Sequence, residues 1–211
     1  MSEERKSDWF QTYTGQVFYP FDPQPADIDI RDIAHALSLI CRFNGHCEAF
    51  YSVADHCLEV HHNYINQVSL DAHMLSAGAL TTLKGPKARM CALLHDAAEA
   101  YAGDTIRPIK KSMPSIEELE KPIQDAVLEK FGLTEIWPWV QPRVKEADLV
   151  ILMTEKRDVV VPGPGTRREW ALDKEIRPAK GKILPHDTPK EAEEAFLKLF
   201  WMLTQRIEDE A

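Results

Sequence analysis

Apolar residues in this chain recur at three- and four-residue spacing and almost nowhere at two. That periodicity constrains the fold more than any other feature, because a helix needs an apolar stripe and a half-buried strand needs alternation. Ile33, Ala34, Leu37 and Ile40 form a first stripe, with Asp29 or Asp32 as its cap. Further helices are expected over about 48–64, about 87–102, and from Ser115 through IEELEKPIQDAVLEKF, where Pro122 kinks the helix or delays its start. Two more follow, over about 143–158 and from Thr188 and Pro189 to about Ile207. Between them lie RFNGH and LKGP as turns, WPWVQP (137–142) as a connector, VPGPG (161–165) as a stop signal and a polar, irregular stretch at 166–187. Residues 66–86 read both ways. Residues 1–26 read as extended or irregular, with VFYP as a short strand. The expectation is an all-α fold in one domain, with a core over about 28–160 and a segment 161–211 whose final helix packs on that core or on a partner subunit.

The stretch CALLHDAAEAYAGD (91–104) breaks the pattern of a helix made for burial. It carries His95, Asp96, Glu99 and Asp104 through small, apolar neighbours. An ionised carboxylate taken out of water costs several kcal/mol unless it is paired or ligates a metal. Asp148 raises the same question, since Val144, Ile151 and Leu152 surround it at helical spacing, and so does His56, between Val53 and Val60. Each has a bland reading: a helix end in solvent, an Asp paired with Arg157 or Lys145, a satisfied core histidine. Three coincidences on three helices weigh more together than singly. His56, His95, Asp96 and Asp148 make a mixed nitrogen and oxygen set, which suits Mn, Co, Zn, Fe or Ni.

Taken together, these motifs resemble those of a known family. The order His56, His95-Asp96, Asp148 resembles the H…HD…D signature of HD-domain metal-dependent phosphohydrolases. ICRFNGH (40–46), YSVADH (51–56), LLHDAAEAYAGD (93–104), RPIK (107–110), ADL (147–149) and TEKRD (154–158) are similar to blocks of its small 5′-deoxynucleotidase branch, above all the prophage-type members. The resemblance covers roughly residues 12–160. It implies an HD-domain helical bundle holding one divalent ion on His56, His95, Asp96 and Asp148. It implies that Glu99 and Asp104 act near the attacking water or a second ion, that Arg42 and Lys110 grip the phosphate, and that Phe43 packs by the sugar C2′. That branch has Trp where this chain has Phe43. The 39-residue step from His56 to His95 is longer than in the branch, with LDAHMLSAGALTTLKGP as the insertion.

The expected activity is release of orthophosphate from deoxyribonucleoside 5′-monophosphates. The alternatives are a deoxynucleoside triphosphate triphosphohydrolase, a non-catalytic nucleotide-binding module and a purely structural helical protein. The resemblance also implies a homo-oligomer. A net charge of −9 speaks against an extended nucleic-acid partner, while a bound cation can reverse the charge locally for a small anionic substrate. No signal-peptide core or apolar run of membrane-spanning length is present, and four scattered cysteines do not make a disulfide scaffold, so a cytoplasmic protein with reduced thiols is expected.

Overall fold

The computed structural model of the protein describes residues 8–161 and 169–210. The fold is all-α. Among the described residues, the only sheet is a two-stranded antiparallel ribbon, β1 (Phe10–Gln11) with β2 (Val17–Phe18), in which Phe10 faces Phe18 across the pair. Helix α1 (Ile30–Leu39) starts at Asp29, whose side chain accepts from the Arg31 N–H at 2.8 Å. Ser52 and Asp55 form a reciprocal capping box that starts α2 (Val53–Leu70). This start lies five residues later than the apolar pattern alone suggested, because the cap decides where helical hydrogen bonding begins.

The ambiguous stretch resolves into the end of α2, a short 3-10 turn (Asp71–Met74) and α3 (Ala77–Lys84). Gly85 separates α3 from α4 (Pro86–Leu93). The chain then breaks. The continuous helix expected over 87–102 is instead α4, five turn residues and the single-turn α5 (Glu99–Ala102). Helices α6 (Arg107–Ser112) and α7 (Pro114–Lys130) follow, and α7 begins at Pro114, with Met113 rather than Ser115 in the cap position.

WPWVQP is not a connector: it forms the first turns of α8 (Trp137–Asp158). Pro138 falls in the first turn, where its missing N–H has no intrahelical partner to lose. Pro142, like Pro122 in α7, lies inside its helix and gives up one backbone bond. Most of VPGPG lies outside the described residues. From 169 onward the chain is irregular apart from one 3-10 turn (Ala171–Lys174), until Thr188 caps α9 (Pro189–Asp209).

Helix α2 sits at the centre, packed on α8 and α4 and more lightly on α1 and α9. Helix α9 closes the bundle against α1 and α4 through Phe196, Phe200 and Leu203, all buried. The C-terminal helix therefore completes this chain's own core. No helix of the described residues is long and apolar enough to cross a membrane. The four cysteines are free.

Candidate metal centre

His56 lies one turn into α2 and is fully buried. Its Nδ1 meets Glu155 Oε1 at 2.6 Å, and the ring turns Nε2 the other way. There Nε2 faces Asp96 Oδ2 and Asp148 Oδ1, each at 3.5 Å. His95 Nε2 lies 3.1 Å from the same Asp96 oxygen, and the two imidazole centroids are 5.3 Å apart. Neither Nε2 has a hydrogen-bond partner, although both are buried. Two buried imidazole nitrogens facing carboxylate oxygens make a donor set that would suit a cation. His56, His95 and Asp96 can hold a metal ion, their ligand atoms all lying within 4.8 Å of one another.

The break after α4 is what brings His95 and Asp96 to one spot. On a continuous helix, adjacent side chains diverge by about 100°. Here the turn runs on short-range bonds, Ala97 N–H to Leu94 O and Glu99 N–H to Asp96 O. Gln124 on α7 completes it: its Nε2 donates to Leu94 O at 2.9 Å, and its Oε1 accepts from the Ala98 N–H at 3.1 Å. His95 is set by its Nδ1, which lies 3.0 Å from Ala92 O, leaving Nε2 for the site.

Asp148, the fourth expected ligand, borders the group of three. Its Oδ1 faces His56, while its Oδ2 accepts from Lys145 at 2.7 Å. The pairing with Lys145 and the approach to His56 therefore coexist.

The two remaining carboxylates stand beside this group. Glu99 is buried, with Oε1 3.5 Å from Lys110 Nζ and Oε2 without a partner. Burial, then the charges of Asp96 and Asp104, push its pKa well above the ordinary carboxylate value. Asp104 follows Gly103, whose φ of +84° is a conformation that favours glycine. Burial raises the Asp104 pKa too, with Arg42 and Lys110 opposing and Asp96 adding to the rise. Lys110 is shared between Glu99 and Glu120, the latter at 2.7 Å.

Arg42 opens a 3-10 turn (Arg42–Gly45) tied to the start of α2 by its N–H to Tyr51 O, at 2.9 Å. Its guanidinium is buried, with Nη2 donating to Glu155 Oε2 at 2.9 Å and Nε without a partner. Phe43 and Asn44 adopt left-handed backbone conformations, at φ 55° and 53°. The guanidinium carbon of Arg42 lies 5.3 Å from the Phe43 ring centroid, and Trp170 lies 6.4 Å from that ring.

Glu155, Gln124 and Trp170 have no role that the sequence alone assigns. Glu155 was within reach, since it lies two turns beyond Asp148 on the same face of α8 and inside the TEKRD block. Burial works against its charge, and Arg42 and His56 reverse that, holding its pKa below the ordinary value. Tyr51 and Tyr101 are core residues, and Tyr101 stacks on Phe18 with centroids 4.1 Å apart.

No family model matches the chain. The chain is 35% identical over 151 residues to the uncharacterized protein YfdR of Escherichia coli strain K12, a match covering 72% of each protein. It is 34% identical over 158 residues to the uncharacterized protein RCAP_rcc00048 of Rhodobacter capsulatus, covering 73% of this chain and 74% of that protein.

Proposed function

The chain belongs to the family of these two proteins, and we propose that it is an HD-type, metal-dependent phosphohydrolase releasing orthophosphate from deoxyribonucleoside 5′-monophosphates. The observation that carries this reading is the pair of buried, unpartnered imidazole nitrogens of His56 and His95, set against carboxylates. A divalent transition ion held by His56, His95, Asp96 and Asp148 supplies charge neutralisation at phosphoryl oxygens and lowers the pKa of water. Mn, Co, Zn, Fe and Ni all suit those donors.

The chain's own groups supply the rest. Arg42 offers the guanidinium donors not engaged by Glu155 to the phosphoryl oxygens, and Lys110 adds a point charge. Asp104 accepts the proton of the attacking water as its oxygen bonds to phosphorus. Glu99, which holds its proton to higher pH than an ordinary carboxyl, donates to the departing 5′-oxygen as the ester bond breaks. The products are orthophosphate and a deoxynucleoside. Phe43, next to Arg42, packs by the sugar.

A triphosphohydrolase would use the same ligands but needs cations for three phosphates. Of the cations beside these carboxylates, Lys110 is already paired with Glu120 and Lys145 with Asp148, which suits a single phosphoryl group better. The test is metal-stripped protein reloaded with Mn²⁺ or Co²⁺, given dNMPs, NMPs and dNTPs, with the phosphate product identified by chromatography. Orthophosphate from dNMPs alone is the expected result. Tripolyphosphate from dNTPs would overturn the bond assignment, and nucleotide binding without any product would overturn the enzyme reading. Asp96→Ala is expected to lower turnover by more than the ~100-fold typical of changes outside the ligand set.

A further inference from the structure

Glu155 divides its two oxygens between two functional groups that come from distant parts of the chain. Oε1 lies 2.6 Å from His56 Nδ1, and Oε2 accepts from Arg42 Nη2 at 2.9 Å. Glu155 and His56 are 0% exposed and Arg42 is 8% exposed, so water does not dilute either contact. An ionised carboxylate only accepts, so the His56 proton at this contact sits on Nδ1. In the neutral imidazole, the form that binds a metal, that leaves the lone pair on Nε2, the atom facing Asp96 and Asp148. The same carboxylate also shares its charge with the guanidinium. Whatever part Arg42 draws off is not available to polarise the imidazole.

We infer that Glu155 is a positioning residue that joins the metal ligand His56 and the phosphate-binding Arg42 into one unit, so that the grip on the metal depends on how Arg42 is engaged. This rests on the reading of His56 as a ligand and Arg42 as a phosphate contact. Substrate phosphate competes with Glu155 for the guanidinium. As Arg42 turns part of its hydrogen bonding to the phosphoryl oxygens, the carboxylate's charge falls more fully on the His56 N–H, and the opposite nitrogen becomes a stronger donor. Substrate arrival then tightens the hold on the ion, and departure of orthophosphate relaxes it.

The link is tested without substrate, by calorimetric titration of Mn²⁺ into the metal-free wild-type chain, Glu155→Gln, Arg42→Met and the double variant. Glu155→Gln is expected to weaken Mn²⁺ binding by about 10- to 100-fold. Arg42→Met, which touches no ligand, is expected to tighten it severalfold. Added to Glu155→Gln, Arg42→Met should leave the affinity unchanged, because the connecting carboxylate is gone. A support that merely held the fold together would not give opposite signs for its two ends. Glu155→Gln alone leaves a buried guanidinium without its carboxylate. If that chain does not fold, Arg42→Met and the double variant still give the effect of Glu-to-Gln with no unpaired cation present. Wild-type affinity in Glu155→Gln would overturn the link, as would equal tightening by Arg42→Met when it is added to Glu155→Gln. No Mn²⁺ binding by the wild type would instead overturn the metal centre itself, and the link with it.

Discussion

Glu99 works against the fold that holds it. It is 5% exposed, one oxygen has no partner, and neighbouring carboxylates add to the penalty of burial. Its raised pKa has a definite sign for stability. The protonated form contributes stability that is complete below the ordinary value of 4.5 and lost as pH climbs through the raised folded value. Glu99→Gln keeps the shape and removes the charge. Denaturant unfolding of the metal-free variant at neutral pH is expected to show a gain in stability, because the charge that burial and the neighbouring carboxylates oppose is gone. Phosphate release by the same variant is expected to fall by at least ~100-fold. At this scale the sequence revealed groups that stand out from their own surroundings. His56, Asp96 and Asp148 are polar residues within apolar stripes, and that mismatch is local. The position of Glu155 on the Asp148 face was legible, but its role was not, because that role lies in Arg42 and His56, both about a hundred residues earlier. Trp170 comes from a polar, irregular segment and approaches Phe43 only through the tertiary fold.

The element that matters most is the five-residue break between α4 and α5. Nothing in LLHDAAEA announces it, since neither glycine nor proline interrupts the run and alanine favours a helix. The break exists because Gln124, on another helix, satisfies the Leu94 carbonyl and the Ala98 N–H that the lost helical bonds would have served. Gln124→Ala leaves the Ala98 N–H without its partner, while Leu94 O keeps the Ala97 N–H. The expected loss is about 1–3 kcal/mol of stability for the buried group left unpaired, seen in thermal or denaturant unfolding. Mn²⁺ affinity should drop as well, as His95 and Asp96 lose their fixed relation. An unchanged affinity would show that the turn keeps its shape without Gln124. Caps were more legible than this: Thr188 starts α9 where the sequence placed it, and Asp29, one of two candidates, starts α1. The start of α8 departs from the expected connector because prolines at 138 and 142 signal a break locally, yet the first lies where a helix tolerates it.

For the whole molecule, the all-α architecture followed from the near absence of alternation, while the centrality of α2 did not, because no stripe states which helix it will meet. The assembled centre gives the protein a pH dependence of its own. Burial opposes a charged His95, but Asp96 prevails and its pKa is pushed up to about 10. A histidine raised in this way contributes stability that is complete below its ordinary 6.5 and lost as pH rises toward 10. Glu99 acts in the same sense from a lower starting point. The metal-free protein should therefore lose thermal stability steadily between mildly acid pH and about pH 10. Mn²⁺ replaces the proton at the imidazole nitrogens, so in its presence the decline should flatten. Melting curves across that range, with and without the ion, check this, and a flat metal-free profile would contradict it. The spacing of the ligands carries a further consequence. His56 and His95 are 39 residues apart (95 − 56), and Asp96 and Asp148 are 52 apart (148 − 96), so two long chain excursions must close before the four side chains meet. A ribosome making this protein has released α8 before the centre can exist at all. A metal held by all four side chains would therefore be captured late in the life of each new molecule, after the fold is made rather than as its guide.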